Sequence, residues 1–362
     1  MDVAPEGALR EQRSKGGFAT KAAALDAMHG LQSAVASGTH IEPSRRTVAA
    51  YLEEWLPAIR REVRGGTWTS YELHVRAYIV PHIGRLPLQQ LTRAAVKSLY
   101  ATLADSGRVR GGGLSPKAVH NTHLVLRKAL ADAVEDRVLA HNPADGAHRL
   151  PTGRPEMLTW AAEQLDAFLA SVRPDRYFAL WRLAAMTGMR RGEVIGLRWS
   201  DVDLEAGTLR VQQQRVRGAD GLTYAPPKTA KGRRNIGLDP ATVAAVRAHR
   251  VAQVQERIAF GPGYVDGGLV FARPDGSALD PDVVSQAFER HARRAGLPRI
   301  RLHDLRHTHA TLALSAGIHP KVVQERLGHS SVALTLDVYS HAIPAMQADA
   351  ADRIAALVDG VG

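Results

Sequence analysis

His303-Asp304-Leu305-Arg306-His307-Thr308-His309 is the stretch from which the rest of the chain becomes readable. On a helix, positions three apart share a face, so His303 and Arg306 project together. An imidazole moves protons near neutral pH and a guanidinium neutralises growing negative charge, a pairing suited to phosphoryl chemistry. The same heptapeptide admits a metal-binding reading, because three histidines crowd seven residues. Against it, the spacing is not that of a His-Glu-x-x-His site, and no carboxylate completes a ligand set.

Downstream lies Leu327-Gly328-His329-Ser330. Gly328 can end one helix and Ser330 can cap the next, which leaves His329 at the junction, able to reach a phosphate from outside both. Thr335-Leu336-Asp337-Val338-Tyr339-Ser340-His341 then puts Tyr339 near the end of the following helix. Taken alone, such a tyrosine packs its ring and wets its hydroxyl. Upstream, Thr187-Gly188-Met189-Arg190-Arg191-Gly192-Glu193 ends a helix at a glycine and sets Arg190 just past a tight turn. An arginine fixed by backbone suits bidentate phosphate recognition, and Glu193 can orient its guanidinium. A surface arginine with a carboxylate three positions on is the alternative. Between these motifs, Pro226-Pro227-Lys228-Thr229-Ala230-Lys231-Gly232-Arg233-Arg234 reads as a basic loop linking two strands. Lys228 can there protonate a leaving oxygen, with Lys231, Arg233 and Arg234 contacting a nucleic-acid backbone. Viewed alone, the segment reads more readily as a solvated basic loop.

The chain has 362 residues, which predicts two or three domains, and 45% hydrophobic content supports real cores. A net charge of +11 points to a polyanionic partner or to an ordinary basic enzyme. With no cysteine, disulfides, thiolate metal sites and cysteine nucleophiles are excluded. No apolar run is long enough for a membrane span and no signal peptide is indicated, so the expected compartment is cytoplasmic.

Residues 1–42 read as a short leader, near neutral in charge, with Thr20 capping a helix from Lys21 to about Ala36. Residues 43–147 read as all-helical. Helices are expected over Thr47–Ile59, from Thr67 or Thr69 to near Gly84, and over Thr92–Leu103. A fourth is capped by Ser115 with Pro116 in its first turn, and buries Leu124, Leu126, Leu130 and Val134. His148–Pro155 is a Pro- and Arg-containing linker. Beyond it the pattern predicts a helix over Glu163–Arg182. Strands are expected at Leu209–Val216 and Leu222–Tyr224 about a Gly218–Gly221 turn, and at Arg234–Leu238. Helices follow at Pro240–Arg257, Pro281–Arg294, Leu305–Ala316, Pro320–Leu327, Val332–Tyr339 and Pro344–Leu357.

In this order, the motifs resemble the catalytic domain of tyrosine recombinases, the phage integrases. That family uses an arginine, a lysine, a His-x-x-Arg pair, a further histidine or tryptophan, and a C-terminal tyrosine. The matching residues are Arg190, Lys228, His303 with Arg306, His329 and Tyr339. The wording around them also matches, in Thr-Gly-Met-Arg-Arg-Gly-Glu, His-Asp-Leu-Arg-His-Thr and Leu-Gly-His-Ser-Ser.

The resemblance implies a multidomain, mainly α protein with a small antiparallel β-sheet. A truncated arm-type remnant would occupy 1–42, a helical SAM-like core-binding domain 43–147, a linker 148–156, an α+β catalytic domain 157–343 and a tail helix 344–362. It implies site-specific DNA recombination through a 3′-phosphotyrosyl intermediate on Tyr339, with no metal, cofactor or ATP. Double-stranded attachment-site DNA would be held in a clamp of the two domains. The helical domain would face it with Lys117, His120, Asn121 and Arg127. A homotetramer exchanging C-terminal tails, an excision factor and a host DNA-bending protein are the implied partners, and integration or excision of a mobile element the implied role. A type IB topoisomerase, a DNA-binding regulator without activity and a metal-dependent nuclease are the rivals. Occupation of all six positions and the arm-like leader favour the recombinase.

Overall fold

The computed structural model describes residues 17–36, 40–108, 111–147, 158–218, 221–227, 230–329, 331 and 355. The expected linker, Lys228, Ser330, Tyr339 and, but for position 355, the tail segment 344–357 lie outside them. The chain divides into two compact units, between Gly153 and Arg154. Among the described residues no helix is long and apolar enough to cross a membrane.

In the first unit, helix α1 (Lys21–Ala36) starts after Thr20, whose hydroxyl accepts from the Ala23 amide. The remaining helices are α2 (Val48–Ile59), α3 (Gly65–Leu73), α4 (Val80–Ile83), α5 (Arg93–Ser106) and α6 (Pro116–Glu135). Thr47, Thr92 and Ser115 each accept from an amide three residues on, so three of the starts are fixed by side-chain caps. Tyr51, Leu52, Trp55 and Leu56 of α2 pack with Leu99 and Leu103 of α5 and Leu126 and Leu130 of α6 in one apolar core.

Two expectations change here. The second helix begins at Gly65, and a π-helical segment over His74–Ile79 joins α3 to α4. Pro81 lies two residues past its end; a proline cannot donate to the carbonyl four residues back and its ring pushes that carbonyl aside, so a wider turn absorbs the mismatch. Leu124, expected in the core, is 48% exposed. The buried face of α6 runs instead through Val119, Thr122, His123, Leu126, Ala129, Leu130 and Ala133.

The second unit contains α7 (Ala162–Ser171), α8 (Phe178–Thr187) and α9 (Arg191–Ile195). Strands β1 (Val202–Asp203), β2 (Thr208–Val211), β3 (Gln214–Gly218), β4 (Gly221–Ala225) and β5 (Arg234–Gly237) follow. Then come α10 (Pro240–Phe260), α11 (Pro281–Arg294), α12 (Asp304–Ser315) and α13 (Pro320–Leu327). Its core joins Trp160, Phe168, Leu180, Trp181, Ile195, Phe271 and Phe288.

The expected helix Glu163–Arg182 is two helices, because Pro174 falls between them and disfavours helical backbone at the residue before it. The expected strand Leu209–Val216 is likewise two. β2 pairs antiparallel with β1 and with β5, whereas β3 pairs with β4 as a separate hairpin. Two small sheets thus stand where one was expected. Gln213, at the break, turns its amide to the Gly196 carbonyl at 2.8 Å.

Candidate active site

The site is assembled where α8, α12 and α13 end or begin. Helix α8 stops at Gly188, which has φ +61°. A Cβ there would fall 2.5 Å from Leu327 Cδ2, so both the left-handed backbone and the close approach require glycine. Arg190 caps α9 in extended backbone. Its amide donates to Glu193 Oε2 at 2.9 Å and its Nη1 to Oε1 at 2.8 Å. Its Nη2 reaches the Gly328 carbonyl at 3.3 Å.

Arg306 is 3% exposed and donates from Nη1 to the Gly188 carbonyl at 2.8 Å and from Nη2 to the Leu327 carbonyl at 2.6 Å. Both guanidiniums therefore grip the Leu327-Gly328 turn that ends α13. That turn carries His329, which is 6% exposed. Gln324 holds it from behind: its Nε2 donates to the His329 carbonyl at 2.5 Å, and its own carbonyl accepts the His329 amide at 3.1 Å. Burial, and after it the charges of Arg306 and Arg190, push the His329 imidazole down to about 3. It is neutral at physiological pH and offers an N–H without adding charge to an already cationic cluster.

His303 stands at the N-terminus of α12, its ring edge-on to His307 at 5.3 Å. Desolvation, then His307 and Arg306, push it down to about 4, so it too is neutral and able to accept a proton. His309 belongs to a different job. Its Nδ1 lies 3.1 Å from the Ala185 carbonyl and its Nε2 accepts from Arg326 at 3.3 Å, which assigns the Nδ1–H tautomer. With both ring nitrogens engaged, it pins α12 to α8. Among the described residues no group of three His, Asp or Glu side chains could hold a metal ion.

Glu193 is 1% exposed and sits between Arg190 and Arg234. Burial alone would raise its carboxyl, but the Arg234 hydrogen bonds and charge, with help from Arg190, hold it below the usual carboxylate range. Arg234 corrects an expectation. Its expected partner is a nucleic-acid backbone, yet its side chain is 6% exposed and faces Glu193 at 2.9 Å. Lys231 and Arg233, from the same segment, are exposed. In the helical unit, Lys117, His120 and Asn121 share a face of α6, Lys117 exposed and the other two partly so. Arg127 pairs with Asp145 at 2.7 Å.

Residues 160–346 match the phage integrase family, and residues 47–104 match the phage integrase N-terminal SAM-like domain. The chain belongs to the phage integrase family of tyrosine recombinases. It is thereby an enzyme of site-specific DNA recombination. Among the family, the integrase of Mycobacterium phage FRAT1 is 30% identical over 314 residues, spanning 86% of this chain and 88% of that one. A XerC-like tyrosine recombinase of Caldanaerobacter subterraneus subsp. tengcongensis is 27% identical, spanning 88% and 85%. In fold, the chain resembles the Tn1549 transposon integrase in complex with a circular intermediate DNA (TM-score 0.68, 23% identity, 81% of this chain and 95% of that one). It also resembles a lambda integrase dimer bound to a COC′ core site (TM-score 0.58, 18% identity, 81% and 95%).

Sequence reasoning missed Gln324, the inward role of Arg234 and the His309–Arg326 brace. Gln324 carried no local signal. Arg234 did: in a strand, alternate residues share a face, and Ile236 two positions on is fully buried.

Proposed function

We propose that this chain cuts and rejoins double-stranded DNA at attachment sites through a 3′-phosphotyrosyl intermediate on Tyr339, in the integration and excision of a phage or other mobile element. The observation that carries the reading is the convergence of Arg190, Arg306 and His329 on the turn that ends α13. Such a cluster suits a phosphodiester whose negative charge grows in a pentavalent transition state. Arg190 and Arg306 supply preorganised N–H donors, and His329 donates to the same non-bridging oxygens.

Tyr339 attacks phosphorus, passing its proton to His303, and forms the P–O bond as P–O5′ breaks. Lys228 delivers a proton to that O5′. The 5′-hydroxyl of a partner strand then reverses the step and frees Tyr339. The covalent link conserves the phosphodiester's free energy, so the cycle needs neither ATP nor a metal. Glu193 orients Arg190.

Residues 43–147 act as the core-binding domain, 157–343 as the catalytic domain, 148–156 as their linker and 1–42 as an arm-type segment. Lys117, His120, Asn121 and Arg127 contact DNA from the first of these, and Lys231 and Arg233 from the second. Recombination joins two duplexes in a homotetramer, and the segment 344–362 docks on a neighbouring protomer. An excision factor and a host bending protein set direction. The mobile-element role is supported by relatives named as integrases of mycobacteriophages and as the ICEBs1 integrase of Bacillus subtilis.

Trapping the intermediate tests the reading. The protein is incubated in EDTA with a nicked duplex carrying the junction sequence that flanks its gene, then resolved on a denaturing gel. A covalent band in the wild type and none in Tyr339→Phe is the expected result. Specific binding without any band would overturn it.

A further inference from the structure

We infer that Asn121 and Leu124 determine which DNA sequence the helical unit accepts: Asn121 reads an adenine in the major groove, and Leu124 the methyl group of a thymine beside it. The inference rests on the reading of residues 43–147 as the core-binding domain.

Leu124 breaks the pattern of its helix. His123, Val125 and Leu126 around it are buried, yet Leu124 is 48% exposed. An exposed leucine is ordinary by itself. Its neighbours make it informative. At 3.6 residues per turn, Lys117, Asn121, Leu124 and Lys128 of α6 fall within an arc of about 60°. They form one stripe on the side of the helix that faces away from the core.

The cations stand at the ends of the stripe, and both are exposed. At 1.5 Å per residue they are about 16 Å apart along the axis. The major groove is about 12 Å wide, so the two ammoniums can meet phosphates on its opposite lips. Lys128 Nζ is tethered to Asp132 Oδ1 at 2.6 Å, and Asp132 Oδ2 accepts from Trp55 Nε1 at 2.8 Å. An ammonium has three donors, so the tether aims Lys128 and leaves it able to bind a phosphate.

Asn121 lies between the cations, partly buried, and among the described residues nothing donates to or accepts from its side-chain amide. Asn142 of the same unit differs: its amide donates to the Arg127 carbonyl and accepts from the Ala144 amide, both at 2.9 Å. The fold uses one asparagine and leaves the other for a ligand. A side-chain amide suits the N6 and N7 edge of adenine, and an apolar side chain suits the thymine methyl. Asn121 and Leu124 are about 4.5 Å apart along the axis, near the 3.4 Å rise of one base pair, so the two contacts fall on the same or adjacent pairs. A protein partner would have to bury Leu124 between two ammoniums. Duplex DNA supplies both the anions and the apolar methyl.

The experiment measures binding of the full chain to the junction duplex that flanks its gene. Each thymine in turn is replaced by uracil, which removes the methyl alone, and each adenine by an analogue with carbon in place of N7. Wild type, Leu124→Ala, Asn121→Ala and Lys117→Ala are compared on every duplex and on an unrelated one of the same length. At one thymine the wild type should lose about fourfold in affinity on the uracil change, the worth of one buried methyl. At an adenine on the same or an adjacent pair it should lose about tenfold. Leu124→Ala should bind the thymine and uracil forms alike and keep the adenine effect; Asn121→Ala should show the reverse. The losses in both variants should be confined to the junction duplex, because base contacts carry the sequence preference.

A Leu124→Ala protein that keeps the uracil penalty, or an Asn121→Ala protein that keeps the adenine penalty, would overturn the inference. So would equal weakening on every duplex, or a wild type to which no thymine methyl matters, while Lys117→Ala still lowers affinity. Unchanged affinity of all three variants on every duplex would instead show that this face does not meet DNA, and would overturn the reading of the core-binding domain on which the inference rests.

Discussion

The helical unit and the catalytic unit bury different things. In residues 43–147 the interior is apolar, and its buried polar side chains include Thr122 and His74, whose imidazole burial holds below its ordinary range. In the second unit Glu193, Asp304, Arg306 and His329 are each at most 8% exposed, and Arg234's side chain is 6% exposed. Burying ions costs several kcal/mol apiece before pairing, and replacing such pairs by apolar groups is often neutral or stabilising. One unit is therefore arranged for stability. The other buries ionic side chains, a cost that fits the phosphoryl transfer proposed for it.

The sharpest test of that contrast is Arg306→Ala. It removes the transition-state donor proposed above and also uncouples the Gly188 and Leu327 carbonyls. Single-turnover cleavage should fall by about 10²–10³-fold, the loss of one preorganised donor. Thermal unfolding should show lost stability as well, because two buried carbonyls lose their donors. Full activity would mean that this guanidinium is only a brace.

In the helical unit the comparable change is Leu126→Ala, which should cost about 2–5 kcal/mol through an apolar cavity. Leu124→Ala, two residues earlier on the same helix, should stay within about 0.5 kcal/mol because that side chain is exposed. Hydrogen exchange of the α6 amides separates the two. Equal effects would show that the burial pattern of α6 is misassigned.

Acid should act mainly on the catalytic unit. The folded state holds His329 down to about 3 and His309 to about 4, against 6.5 when unfolded. Between those values and 6.5 the unfolded chain binds the extra protons, so stability is complete above about pH 6.5 and falls as the pH drops toward the folded values. At pH 5 the loss is about 2 kcal/mol for each of these two histidines. Residue-resolved hydrogen exchange at pH 7.5 and 5 should show α12 and α13 loosening before α2 and α6. Uniform loosening would erase the contrast.

The same division decides what could be read from the sequence. Long amphipathic helices with Ser, Thr or Asp caps were legible because cap and periodicity are local; α2, α5, α6, α10 and α11 begin within a residue or two of expectation. The break at Pro174 had a local signal that helical periodicity on both sides outweighed. The pairing of β2 with β5 rather than in one continuous hairpin depends on residues far apart in sequence, which alternation cannot specify. At the site, the residue types that do chemistry stood out, while their supports did not. Gln324 is ordinary in sequence and matters only because the chain brings its amide to His329. Arg233 and Arg234 are adjacent and alike; the partner that separates their roles, Glu193, is 41 positions away.

The smallest effect expected is at Lys117, and it bears on what the helical unit contributes. Lys117 is exposed near the start of α6, in the region assigned to DNA. A lysine that neutralises one phosphate releases about one counterion, so Lys117→Ala should lower the slope of log affinity against log salt by about one. The weakening should be the same for specific and unrelated duplexes, because a phosphate contact carries no base information. Cleavage at saturating DNA should be unchanged, whereas Arg190→Ala should leave binding nearly intact and slow cleavage. Reversal of that pattern, with Lys117→Ala slowing the bound complex, would mean that the helical unit takes part in the chemical step and that the two units do not divide binding from catalysis.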